Sequence, residues 1–229
     1  MNILALDTAT ENCSAALWQD GRLSACEELL ARGHAERILP MVDELLREAG
    51  VELAAVDAIA FGRGPGAFTG VRLAASVTQG LAFGAGLPVV PVSDLAALAQ
   101  RVLDGEPAAE RVLVCNDARM QELYWGCFER QADGLAAASG AEHVGGMDSI
   151  VLPGTWPDRV HAVGSGFAAF PPLAATLGTA LTRVHEGLWP RAGEIARLAV
   201  PLVRSGAVLP AADALPVYLR DEVAHVRPQ

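Results

Sequence analysis

The chain has 229 residues, 52% of them hydrophobic and 19% charged, so it can bury one compact core or two small ones and is too apolar to stay disordered. Its net charge is −10 with no arginine-rich run, which argues against a large direct nucleic-acid footprint, because neutralising phosphates needs clustered positive charge. All seventeen basic residues are arginines, so a Walker-type loop, in which a lysine contacts the phosphates, is excluded.

The chain opens on a short apolar run over residues 2–6, as expected of a strand buried on both faces. It has no basic start and is cut at Asp7, too early for a secretory signal. Residues 14–18 and 22–28 flank Asp20-Gly21, a dipeptide suited to a tight hairpin. Residues 35–49 carry Ile38, Leu39, Val42, Leu45, Leu46 and Ala49 at helical spacing, and Gly50 stops them. Pro40 inside that pattern either starts the helix or kinks it. Residues 57–61 form another central strand and lead into Gly62-Arg63-Gly64-Pro65-Gly66-Ala67-Phe68-Thr69-Gly70. A strand, a glycine-rich turn and a helix start commonly present backbone N–H groups to an anion. Thr69 is the expected N-cap of a helix reaching about residue 83. Residues 89–92 close this half as a strand, and Ser93-Asp94 opens another helix. The apolar stretch over residues 81–98 is broken by Pro88, Pro91 and Asp94, so it cannot span a bilayer as one helix.

The second half repeats this order. Residues 112–116 end at Asp117 as residues 3–6 end at Asp7, and residues 122–129 lead to Asp133-Gly134 as residues 14–18 lead to Asp20-Gly21. Val160-His161-Ala162-Val163-Gly164-Ser165-Gly166 then echoes Ala58-Ile59-Ala60-Phe61-Gly62-Arg63-Gly64. The shared order points to a duplication, with a boundary at the polar turn near Gly105 that gives units 1–105 and 106–229. Two such tandem halves suggest an α/β fold of two ribonuclease-H-like subdomains, the actin-like and sugar-kinase-like ATPase class, with mixed sheets flanked by helices.

Asp7 and Asp117 are the paired carboxylates of that arrangement. Facing a cleft, they could hold a hydrated Mg²⁺ or act as a base; otherwise each caps a turn through its side chain. The candidate phosphate-facing positions are Asp7, Thr8, Gly62, Gly64, Gly66, Thr69 and Gly70. His34 lacks the second ligand that a helical metal pair needs, because positions 37 and 38 are Arg37 and Ile38. His143, His161, His185 and His225 are scattered without metal spacing, and no nucleophile elbow occurs, so neither a metal site nor a catalytic residue is expected. Cys13, Cys26, Cys115 and Cys127 form no Cys-x-x-Cys pair and suit small buried apolar positions in a reducing cytoplasm. Ser76, Gly80 and Gly84 recur every four residues and leave one helical face bare. That face packs within the chain or meets another subunit.

Together these residues closely resemble the bacterial TsaB (YeaZ) family. The resemblance is carried by Ile3-Leu4-Ala5-Leu6-Asp7-Thr8-Ala9-Thr10, by His34 with Ile38-Leu39-Pro40, and by the glycine loop through Val71-Arg72. Asp117-Ala118-Arg119-Met120 with Tyr124, and Pro216-Val217-Tyr218-Leu219-Arg220, extend it towards the end of the chain. Residues 132–212 carry few motif positions. The resemblance implies a cytoplasmic supporting subunit in the formation of threonylcarbamoyladenosine beside the tRNA anticodon, with no catalysis of its own. It further implies dimerisation with a paralogous catalytic subunit, TsaD, joined by a small ATPase, TsaE. A homodimer is implied when that partner is absent, with tRNA reached mainly through the complex and no membrane contact. ATP or ADP at the subunit interface, no intrinsic cofactor and a metal on the partner are also implied. The catalytic paralogue has His-x-Glu-Gly-His where this chain has His34-Ala35-Glu36-Arg37-Ile38. The implied interface uses the first two helices, through Ile38, Val42, Leu45, Val71, Ala74, Ala75 and Val77, with Gly80 on the bare face. The competing readings are a stand-alone actin-like ATPase or small-molecule kinase, and, with an incomplete ligand pair, a metallopeptidase.

Overall fold

The computed structural model of the protein describes residues 1–156 and 158–220. Strand β1 (Asn2–Asp7) pairs antiparallel with β2 (Asn12–Gln19), and β2 with β3 (Arg22–Leu29). Between the last two, Asp20 and Gly21 both take positive φ, 45° and 98°, as a tight hairpin requires. Helix α1 (His34–Ala49) runs through Pro40 and closes on Gly50, so the proline does not start it. Pro40 and Glu36 are both exposed, and water can serve the carbonyl that the proline leaves without an N–H. Strand β4 (Ala58–Gly62) lies parallel to β1. The glycine loop follows, then α2 (Phe68–Ala85), then β5 (Val89–Val92) parallel to β4. Helix α2 is capped by Ala67, not Thr69: the Ala67 N–H is held by the Ala9 carbonyl at 2.8 Å, and the helix begins directly after that anchor. Helix α3 (Asp94–Gly105) is capped by Ser93, whose Oγ accepts the Leu95 and Ala96 N–H groups.

The second half contains β6 (Arg111–Arg119), β7 (Glu122–Arg130), β8 (Ala136–Ala138), β9 (His143–Gly145) and β10 (Val160–Val163). Short helices α4 (Gly166–Ala169) and α5 (Pro172–Leu177) lead to β11 (Leu181–His185) and to α6 (Ala192–Ser205). The two sheets run β3-β2-β1-β4-β5 and β8-β7-β6-β10-β11, with β9 also pairing with β7. In each, the first three strands are antiparallel and the last two join in parallel. The repeat is therefore topological: two tandem ribonuclease-H-like subdomains built from mixed sheets flanked by helices.

Alternation along the strands decides what packs where. Leu4 and Leu6 face α1 and α2, together with Ile38, Val42, Leu45, Ala74 and Phe61. Ile3 and Ala5 face the opposite way, onto Ala192, Ile195 and Ala199 of α6. In the second sheet Val112, Val114 and Phe128 meet Leu95, Leu98 and Val102 of α3. The helices thus cross over: α3 of the first unit covers the second sheet and α6 of the second unit covers the first. A division at residue 105 follows chain order, and the packing runs across it. Among the described residues no helix is long and apolar enough to cross a membrane.

Candidate functional site

A cleft of about 770 Å³ opens between the halves. One wall is the β1–β2 turn with the loop over residues 65–70; the other is formed by Asn116, Asp117, Arg119 and Ser165, with Tyr218 near the end of the described chain. Of the candidate phosphate-facing residues, Thr8, Gly66, Thr69 and Gly70 line it, whereas Asp7, Gly62 and Gly64 lie behind it.

The loop glycines are explained by the chain's own backbone. A Cβ on Gly66 would stand 2.5 Å from the Ala9 carbonyl oxygen, and one on Gly70 only 2.1 Å from that of Thr8. Both approaches seat the loop on the β1–β2 turn, and the Thr8 hydroxyl locks them by donating to the Gly70 carbonyl at 2.7 Å. A Cβ on Gly62 would collide with two carboxylates, Asp94 Oδ1 at 2.5 Å and Asp7 Oδ1 at 2.6 Å.

Those two acids are the actual carboxylate pair. Asp7 and Asp94 are both fully buried. Asp7 Oδ1 accepts the Ala9 N–H, and Asp94 Oδ2 accepts that of Gly64. With both ionised, Asp7 Oδ2 and Asp94 Oδ1 would have no donor among the described residues. A proton kept on Asp94 supplies one. Burial raises Asp7 to about 6, and burial plus the Asp7 charge lifts Asp94 well above the usual carboxylate range. Asp117 is not the partner of Asp7. It lines the cleft, where Oδ1 accepts the Arg119 N–H at 2.8 Å in a turn. Asn116 Oδ1, 2.6 Å from a Cβ built on Gly164, occupies the place that Asp7 Oδ1 has at Gly62.

What faces the cleft suits binding more than bond-making. The first turn of α2 lines it, and the N–H groups that open a helix have no carbonyl partner within the helix. Arg72 stacks 3.6 Å over the Phe68 ring and donates to the Tyr218 hydroxyl at 2.7 Å, an arrangement no sequence spacing announces across 146 residues. His34 Nε2 is engaged by the Thr10 carbonyl at 2.9 Å. Burial pushes Cys13 up to about 11, Cys127 to about 12 and Cys115 well above its usual value, so none of these thiols is an activated nucleophile.

The histidines are not all scattered. His143 stacks on Trp125, and His225 lies outside the described residues. His161 and His185, on adjacent parallel strands, bring Nδ1 and Nε2 to 2.9 Å. Strand pairing across 24 residues is what a scan for local ligand spacing misses.

A family model described as TsaD, tRNA N6-adenosine threonylcarbamoyltransferase, matches residues 27–224 and places the chain within that broader family. The tRNA threonylcarbamoyladenosine biosynthesis protein TsaB of Escherichia coli K12 is 42% identical over 98% of this chain and 96% of its own length. The chain belongs to the TsaB (YeaZ) family. Two solved structures from Pseudomonas aeruginosa agree. YeaZ superposes with a TM-score of 0.87 at 45% identity, covering 95% of this chain and 99% of its own. A protein described as uncharacterized with similarity to peptidase YEAZ reaches 0.89 at 46%, covering 96% and 99%.

Most positions expected at the subunit interface are covered within the chain itself. Ile38, Val42, Leu45, Val71, Ala74 and Ala75 are at most 5% exposed within the single chain, and Val77 packs against the same core. Apolar periodicity marks the face that a helix buries, and here the chain's own first sheet receives it. Of the named positions only Gly80 is exposed; with Arg72, Ser76, Phe83 and Gly84 it forms the solvent side of α2.

Proposed function

We propose that this TsaB-family chain takes part in forming threonylcarbamoyladenosine in tRNA as a supporting, non-catalytic subunit that dimerises with a TsaD-type threonylcarbamoyltransferase. A TsaE-type ATPase joins them, tRNA is reached mainly through the assembly, and the chain pairs with itself when the partner is absent. ATP or ADP sits at the subunit boundary, and the metal of the reaction belongs to the partner.

The observation that carries this reading is the solvent side of α2. Among the described residues no atom lies within 4 Å of a Cβ built on Gly80 or Gly84, and Phe83 beside them is 84% exposed. A helix that exposes a phenylalanine next to two glycines offers a close-packing surface that the described residues leave uncovered. The sealed acid pair supports the non-catalytic half of the proposal, since neither carboxylate reaches the cleft. The cleft's helix N-terminus favours a second reading, a stand-alone ATPase or small-molecule kinase. That reading needs a free acid at the reacting phosphate; Asp7 is 0% exposed, and Asp117, which does line the cleft, already accepts from the Arg119 backbone and guanidinium.

Gly80→Leu tests the surface. With open space at that position the variant is expected to keep the wild-type circular dichroism and to melt no lower than wild type, while binding to the TsaD-type partner weakens by about tenfold or more. Undiminished co-purification by folded Gly80→Leu would remove α2 as the docking helix.

A further inference from the structure

One cluster plays no part in the cleft. His161 of β10 and Val163 share the face that α3 covers, and His185 ends the neighbouring parallel strand. The two rings lie 5.2 Å apart between centroids, with Nδ1 of His161 2.9 Å from Nε2 of His185. Glu106, which caps the C-terminal end of α3, adds a carboxylate, and one ligand atom from each of the three residues lies within 4.8 Å of the others. None of the three lines the cleft.

Two imidazole nitrogens bound to one ion at about 2.0–2.1 Å stand roughly 3 Å apart, close to the separation already present. Two nitrogens and one carboxylate oxygen favour a borderline transition metal over Mg²⁺ or Ca²⁺, which prefer all-oxygen cages. Arg183 Nη1 donates to Glu106 Oε2 at 3.0 Å, and among the described residues Glu106 Oε1 accepts no hydrogen bond. The guanidinium thus orients the carboxylate while its charge moderates affinity. His161 is buried, but the Glu106 side chain is 31% exposed, so an ion has a route in.

We propose that Glu106, His161 and His185 form a binding site for one zinc-class divalent ion, with water completing the coordination. The ion would tie the end of α3 to the β10–β11 edge of the second sheet, giving the site a structural or sensing role separate from partner docking.

The test uses the full chain, prepared without a polyhistidine tag and stripped of metal. Calorimetric titration with Zn²⁺ is expected to give one ion per chain, and Co²⁺ to give visible bands of low-coordinate nitrogen and oxygen ligation. His185→Gln and, independently, Glu106→Gln should each weaken Zn²⁺ binding by about tenfold or more while melting like the metal-free wild type. Arg183→Ala should retain binding. No Zn²⁺ uptake by the folded wild type would overturn the site. Equal uptake by folded Glu106→Gln and His185→Gln, or a Co²⁺–thiolate charge-transfer band reporting cysteine ligation, would overturn it as well.

Discussion

Gly70→Val is expected to abolish stable folding. Its Cβ would lie 2.1 Å from the Thr8 carbonyl oxygen and 3.0 Å from the carbonyl carbon, and both are backbone atoms that no rotamer change can move. The Thr8 hydroxyl bond to the Gly70 carbonyl would be lost in the same shift. Overpacking against a fixed wall costs about 3 kcal/mol or more, a large share of the roughly 5–15 kcal/mol that holds a domain together. Gly80→Ala, in the same helix but with nothing within 4 Å, is the matched control. It should stabilise by up to about 1 kcal/mol through helix propensity. Urea denaturation of the three proteins measures this. A Gly70→Val midpoint equal to wild type would refute the assignment of the loop glycines to the β1–β2 turn.

Asp94→Asn is expected to flatten a pH dependence that the wild type shows. Both acids titrate higher in the folded chain than near 3.8, so the native state binds more protons than the unfolded one above that pH. Stability then falls as pH rises from about 4, through about 6 for Asp7 and further for Asp94. Glu142, paired with Arg63 at 3.5 Å, adds negative charge that also raises Asp94. An asparagine at 94 keeps an acceptor for the Gly64 N–H, offers Asp7 an N–H, and carries no charge to bury. The variant should therefore equal or exceed wild-type stability at pH 8 and lose much of the slope between pH 4 and 7. Asp94→Ala should lose the same slope, but it leaves the Gly64 N–H without its acceptor and should be about 1–3 kcal/mol less stable than Asp94→Asn. Chemical denaturation across that range decides it, and an unchanged slope in Asp94→Asn would contradict the shared proton.

Much of the frame was legible in the residues. Asp20-Gly21 announces its hairpin, the apolar runs at residues 2–6 and 112–116 announce central strands, and their shared order announces the repeat. What lay beyond reach depends on pairing across the chain. Asp94 reads only as the start of a helix, yet β5 delivers it to the end of β1, where Asp7 waits. Asp117 has the right neighbours in sequence, but Asn116 holds the matching place. The apolar stripe through Ile38, Val42 and Leu45 is real, but periodicity cannot say whether the surface that receives it belongs to the same chain. The opposite signal, the run of small residues at Ser76, Gly80 and Gly84, identified a side of α2 that the chain leaves open.

Reconstituting the transfer step decides whether the chain supports the transferase. Threonylcarbamoyladenosine would be measured in unmodified tRNA supplied with the TsaD-type transferase, the enzyme that makes threonylcarbamoyl-adenylate, and the TsaE-type ATPase, with and without this chain. Product is expected only when the chain is present, and unchanged product with Asp7→Asn, whose side chain stays behind Gly62. Equal product without the chain would contradict the supporting role and return the cleft to an independent activity.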